Sequence, residues 1–169
     1  MADSAAFDAV GGPLTERDYA VLERCFISRE IANAAGWRRV TDSDGRRLVG
    51  ADGRRGSYEG LAIPYYDPRR GAISAYRLRR DHPDLEQRED RVAEKAKYVS
   101  APGAGNHLYF IPWTEPGWLT DETLPIVFCE GEKKCLALWS VAWQGLGDAA
   151  ERPEFLPIGL WGYGVGGVA

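Results

Sequence analysis

The spacing of apolar residues changes character along the chain, and each change predicts a new element. Between Thr15 and Ala35 the spacing is helical: Tyr19, Leu22 and Phe26, with Cys25 beside them, share the buried side of a helix that Thr15 can cap. Ile31 and Ala35 belong to a shorter helix that Ser28 can cap and Gly36 can stop. Two helices joined so tightly make a hairpin, a unit that packs, docks, or reads nucleic acid as a helix-turn-helix. From Trp37 to Gly60, short segments broken by Asp42-Ser-Asp-Gly45 and Ala51-Asp-Gly53 predict a β-meander with exposed arginine pairs at 38–39, 46–47 and 54–55. Gly60 to Arg80 reads as strand, turn and strand, the turn falling at Asp67 to Gly71. Asp81 to Lys95 is charged and helix-prone, and the chain returns through Lys97 to Phe110.

Ile111 to Leu124 is a linker packed by Trp113 and Trp118. Pro125 to Leu138 then forms the stretch around which the rest is placed. Ile126 to Cys129 is a short apolar run of the kind found in buried strands, while Leu136, Leu138 and Trp139 begin a helical set. Glu130 therefore stands where the strand stops, beside Gly131, at the kind of sheet edge where ligands gather. The helix is expected to reach about Trp143, with a second short strand at Ile158 to Trp161. The expected class is α/β: an arm and helical hairpin over residues 1–36, a basic, mostly antiparallel β region over 37–112, and a partial α/β unit over 113–169.

Composition narrows the function. A chain of 169 residues with 44% hydrophobic residues can bury a core as one domain. A net charge of -4 denies it the uniformly basic surface of a dedicated duplex binder, so any nucleic-acid contact is local. Cys25, Cys129 and Cys135 are scattered and odd in number, with only His82 and His107 as possible helpers. That pattern favours reduced thiols in a cytoplasmic protein over a disulfide framework or a zinc site. No apolar run approaches membrane-spanning length and the first residues lack signal-peptide features, so no membrane partner is expected.

Val127-Phe-Cys-Glu-Gly-Glu-Lys-Lys-Cys-Leu-Ala-Leu138 resembles the first motif of the Toprim domain, in the Glu-Gly-Glu-Lys-Lys form of primase-like phage and plasmid proteins. A second resemblance is independent of it. Ile63-Pro64, Asp67, Gly71, Arg77 or Arg79, Lys97-Tyr98, Ser100, Pro102 and Leu108-Tyr109 follow the order of the segment that leads bacterial primases into their Toprim domain. Together the two cover Gly60 to the C-terminus. The resemblance implies a Toprim-like parallel sheet, a catalytic role for Glu130, and magnesium held by Glu130 and Glu132 together with a later Asp-x-Asp. Phosphoryl transfer needs such clustered oxygens, because a hard divalent ion neutralises the charge that develops.

No Asp-x-Asp follows Glu130. The resemblance thus implies the front part of a primase-like protein, whose magnesium site is incomplete and which is expected to be inactive by itself. The complete form would be a magnesium-dependent nucleotidyltransferase. The alternatives are a Toprim-type nuclease and a non-catalytic adaptor that docks a replicative helicase. Glu132 also has a simpler reading, as an acidic residue offsetting the dipole of the helix it begins.

The nucleic-acid candidates are Arg69, Arg70, Arg77, Arg79, Arg80, Lys95 and Lys97, accompanied by Tyr66, Tyr76 and Tyr98. Strand alternation sends Arg77 and Arg79 to one face, where guanidinium groups can meet the phosphates of single-stranded DNA or RNA while tyrosines stack on bases. The acidic run from Asp81 to Glu94 offers internal ion pairing as the alternative. Gly162, Gly164 and Gly167 have the spacing of a dinucleotide cradle, but only two residues remain for the helix such a site needs, and a turn after the second strand is preferred.

Overall fold

The two N-terminal helices begin at their expected caps. In this computed structural model, which describes residues 10–87, 91–147 and 149–161, Thr15 Oγ1 accepts from the Asp18 amide while the Asp18 carboxylate accepts from the Thr15 amide. This capping box opens α1 (Glu16–Glu23), and Ser28 opens α2 (Arg29–Ala34) by accepting from Ile31 N–H. The glycine pattern at 162–167 lies outside the described residues.

α1 ends in a Schellman closure: Phe26 N–H donates to Glu23 O at 2.9 Å and Ile27 N–H to Leu22 O at 3.1 Å. Leu22 and Ile27 are buried beneath it. Phe26 takes the left-handed position of this motif, with φ 61, and is 84% exposed. The helical spacing assigned Phe26 to the buried side, and the closure reverses that, because the chain leaves helical geometry one residue too early. A side chain in this conformation costs roughly 1–2 kcal/mol.

β1 (Arg38–Val40) follows, and then the expected meander is replaced by a helix, α3 (Asp42–Val49). Thr41 caps it by accepting from Asp44 N–H, so Asp42-Ser-Asp-Gly45 forms its first turn. Asp42-Ser-Asp44 has the Asp-x-Asp spelling, but its carboxylates are committed: Asp42 accepts from Arg46 and from Tyr58 N–H, and Asp44 from Thr41 and Arg47. Gly45 sits in this helix because any Cβ would lie 1.9 Å from the Tyr58 carbonyl oxygen.

β2 (Gly60–Asp67) and β3 (Ala72–Arg80) form the expected hairpin, with an irregularity in register between Tyr65 and Tyr66. With β6 (Tyr98–Ser100) they complete an antiparallel sheet in the order β1-β2-β3-β6. The charged connection does not become helix. Its described residues form a small exposed hairpin of β4 (Asp84–Gln87) and β5 (Val92–Lys95).

β7 (Ile126–Glu130), α4 (Glu132–Ala142) and β8 (Leu156–Leu160) make a parallel β-α-β unit, with Ile126 opposite Leu156 and Glu130 opposite Leu160. Tyr109 ties this unit to the antiparallel sheet. It exchanges two backbone hydrogen bonds with Gly159, at 2.8 and 3.0 Å, and its neighbour Phe110 bridges Tyr66 of β2. The architecture is α/β, as expected.

The antiparallel sheet is covered on both faces. Ala62 and Leu78 face a small core with Val40, Val49 and Tyr58 under α3. Leu61, Ile63 and Tyr65 face the larger core, which takes Leu22 and Ala32 from the helical hairpin and Leu136 and Trp139 from α4. Trp37, the first residue of the expected meander, donates its indole N–H to Tyr109 Oη across 3.2 Å inside that core. Trp113 and Trp118 pack on Trp139, with ring centroids 5.8 and 6.1 Å away, as the linker reading required.

β7 is not the buried strand its composition suggested. Ile126 is 45% and Phe128 58% exposed, because α4 covers only one face of the β7-β8 pair and β7 has β8 alone as a described neighbour. No described helix is long and apolar enough to cross a membrane.

Candidate functional site

Strand alternation and pairing register bring the important side chains together. Arg77 and Arg79 lie two residues apart on β3, and Arg79 pairs with Tyr98 of β6, so all three share the face that carries Ile63 and Tyr65 of β2. The start of α4 meets this face. There Glu132 is buried, with Oε1 accepting from Tyr65 Oη at 2.5 Å and from Arg77 Nη1 at 2.9 Å. The Arg77 guanidinium lies 4.8 Å from the Tyr98 ring centroid and 4.7 Å from that of Trp161. Tyr65 also packs edge-on to Tyr109 and lies 6.2 Å from the His107 ring.

The electrostatics follow from this enclosure. Burial pushes the Tyr65 phenol well above its ordinary range, and the Glu132 charge adds to the effect, so Tyr65 remains a hydrogen-bond donor. Burial raises Tyr98 as well, with Glu132 again contributing, while Arg79 acts in the opposite direction. Arg77 is therefore absorbed into the protein: it is 6% exposed and its charge faces Glu132. The expected pair of phosphate-facing arginines on β3 reduces to Arg79.

A different cation takes the place of Arg77. Lys133, in the first turn of α4, is pushed below the ordinary ammonium range by burial first, then by Arg79 and Lys97, while Cys25 and Glu132 counteract. Arg79 pairs with Tyr98, the neighbour of Lys97, and Lys133 follows Glu132, the partner of Arg77, so β3, the residue before β6, and α4 bring three cations into one neighbourhood. Their existing partners are peripheral. Lys97 pairs with Glu94 at 2.6 Å, and Arg79 stands 3.6 Å from Asp81, whose other oxygen is shared with Arg39. Gly131, with φ 80, precedes α4 and supplies no side-chain cap to its first turn. The helix end thereby adds to the positive potential.

The remaining candidates are spread out. Arg69 and Arg70 lie at the β2-β3 turn, with side chains 84% and 79% exposed, some nine residues of strand from Arg79. Arg80 points to the opposite face, where it donates to Ser57 O and Asp84 and lies over the Tyr58 ring. Lys95 pairs with Glu86 on the exposed hairpin. Tyr66 and Tyr76 are outside the cluster, Tyr76 packing on the small core.

Glu130 and Glu132 are not brought into one site. Glu130 ends β7 with its side chain 74% exposed and Lys134 3.5 Å away, whereas Glu132 turns inward to Tyr65 and Arg77. Oε1 of Glu132 is already taken by two donors, Tyr65 and Arg77. Among the described residues, no group of three or more His, Cys, Asp or Glu is placed to hold a metal ion.

No family model, curated protein or solved structure matches this chain. Lys133 is the residue that sequence reasoning missed. It lies inside the Glu-Gly-Glu-Lys-Lys stretch, but only the Arg77–Glu132 pair, which joins α4 to β3, brings its charge toward Arg79.

Proposed function

We propose that this chain engages single-stranded DNA or RNA through Arg79, Lys97 and Lys133, as part of a primase-like replication protein of phage or plasmid type. The observation that carries the reading is the buried Arg77–Glu132 ion pair, which sets the first turn of α4, with Lys133, against the strand that carries Arg79; burial, then Arg79 and Lys97, lowers the Lys133 ammonium. Like charges gathered at a half-buried surface are unfavourable in the protein alone, and a phosphate backbone relieves them. Tyr98, held between Arg77 and Arg79, lends the cluster an aromatic neighbour. The local character of the cluster fits a chain of net charge -4, and weak, salt-sensitive binding follows.

The primase-like part of the reading draws on the Toprim-like motif order and on the parallel strand-helix-strand unit formed by β7, α4 and β8. Glu130 is the proposed acid/base residue of the complete enzyme. Magnesium does not fit the carboxylates as arranged here, since Glu132 is engaged with Tyr65 and Arg77, so no reaction step is assigned to it. A cytoplasmic location agrees with the three free cysteines.

The test is titration of a labelled single strand at low salt. Lys133→Gln should weaken binding severalfold, while Arg69→Gln/Arg70→Gln should leave it nearly unchanged. The reverse pattern would move the interface to the hairpin tip and remove the cluster from the account. The adaptor reading has one observation of its own, an apolar groove of about 510 Å³ between α2 and α4 lined by Trp113, Trp139 and Trp143.

A further inference from the structure

Cys129 and Cys135 come together across the turn between β7 and α4. Cys129 pairs in register with Gly159 of β8, and its side chain lies on the face of the β7-β8 pair that α4 covers, since Ile126, Phe128 and Glu130 alternate onto the exposed face. Gly159 has no side chain to hold α4 away. A Cβ there would lie 3.4 Å from the Cys135 Cβ, so Cys135 descends onto the sheet at the register position of Cys129. The sulfurs rest against neighbouring carbonyls of one strand, Cys129 Sγ 3.7 Å from Ile158 O and Cys135 Sγ 3.4 Å from Pro157 O. The two thiols are within hydrogen-bonding reach of each other. Both are free, and they differ in access: Cys135 is fully buried, whereas Cys129 is only partly so.

We propose that Cys129 and Cys135 are a redox-active dithiol that a hydroperoxide converts to an intramolecular disulfide. The partly exposed sulfur meets the oxidant first. Cys129 Sγ attacks one peroxide oxygen, the O–O bond breaks, and the products are a Cys129 sulfenic acid and water, or an alcohol where the hydroperoxide is organic. Cys135 Sγ then attacks Cys129 Sγ: the S–S bond forms, the S–O bond breaks, and the hydroxyl leaves as water with the Cys135 proton. The two thiols lose two electrons and the peroxide gains them. A pair held ready within one strand-turn-helix agrees with thiols that are reduced at rest, because disulfides in reducing compartments are transient and redox-sensing. The chemistry is independent of nucleic-acid binding.

Lys133 and Lys134 lie between the two cysteines, so trypsin cuts inside the ring that the disulfide closes. The reduced full chain and its Cys25→Ala variant are treated with hydrogen peroxide, blocked with a maleimide under denaturing conditions, and analysed by intact mass and by tryptic peptides. The wild-type product should lose two hydrogens and take up one maleimide, at Cys25, where the untreated chain with its three cysteines takes up three. The Cys129 and Cys135 peptides should remain joined after trypsin and separate on reduction. Cys25→Ala should form the same link to the same extent. Three maleimides on the peroxide-treated chain would overturn the proposal, as would a link that involves Cys25 or joins two chains. A Cys129 that advances to the sulfinic acid while Cys135 stays a thiol would overturn it equally, because Cys135 would then not be placed to resolve the sulfenic acid.

Discussion

Arg77 and Glu132, 55 residues apart in sequence, form an ion pair of 2.9 Å with only 7% and 4% of their side chains exposed. This pair joins the antiparallel sheet to the first turn of α4 and so fixes where Lys133 stands relative to Arg79 and Lys97. Breaking it by Arg77→Ala leaves a buried carboxylate with Tyr65 as its donor, a loss of about 3–5 kcal/mol. Arg77→Met combined with Glu132→Gln keeps an acceptor for Tyr65 and should recover most of that loss. Denaturant unfolding of the two variants checks both statements.

The two faces of the β7-α4 unit should respond unequally to truncation. Leu136 is fully buried, so Leu136→Ala should cost about 2–5 kcal/mol. Phe128, which composition alone would make a core residue, is 58% exposed, and Phe128→Ala should stay within about 1 kcal/mol of the parent. Melting curves of the pair decide whether the exposed face of β7 has been read correctly.

Lys133 should make stability depend on pH in a defined direction. Its folded-state pKa is lowered from the ordinary value near 10.5. Between the lowered value and 10.5 the unfolded chain holds a proton that the folded chain has released, so stability rises with pH in that window. Below the window the folded chain carries the full penalty of its charge. Lys133→Met should accordingly be the more stable protein at neutral pH, and its advantage should shrink as pH rises toward 10.5. Paired melting curves across that alkaline range measure the difference.

The helix caps Thr15 and Ser28, the β2-β3 turn and the strand-helix-strand order of β7, α4 and β8 were all legible in the sequence, because each rests on local chemistry of a few adjacent residues. The misreadings came where tertiary contacts override local preference. Asp42-Ser-Asp-Gly45 has turn composition, yet Thr41 caps it into a helix that is completed by Arg46 and by the close approach of Gly45 to Tyr58. The charged stretch after Arg80 has helix-forming composition but pairs as β4 and β5. At the site, alternation correctly put Arg77 and Arg79 on one face. It carried no information about the carboxylate on α4 that would claim Arg77, or about the lysine that would replace it.

The most direct test of a single-strand site at Arg79, Lys97 and Lys133 is the salt dependence of oligonucleotide binding. Three neutralised phosphates on a single strand predict a slope of about -2 in log K against log salt. The Arg79→Gln/Lys97→Gln/Lys133→Gln variant should bring that slope close to zero while remaining folded by circular dichroism. A wild-type chain that fails to bind at low salt, or a triple variant that keeps the wild-type slope, would contradict the account.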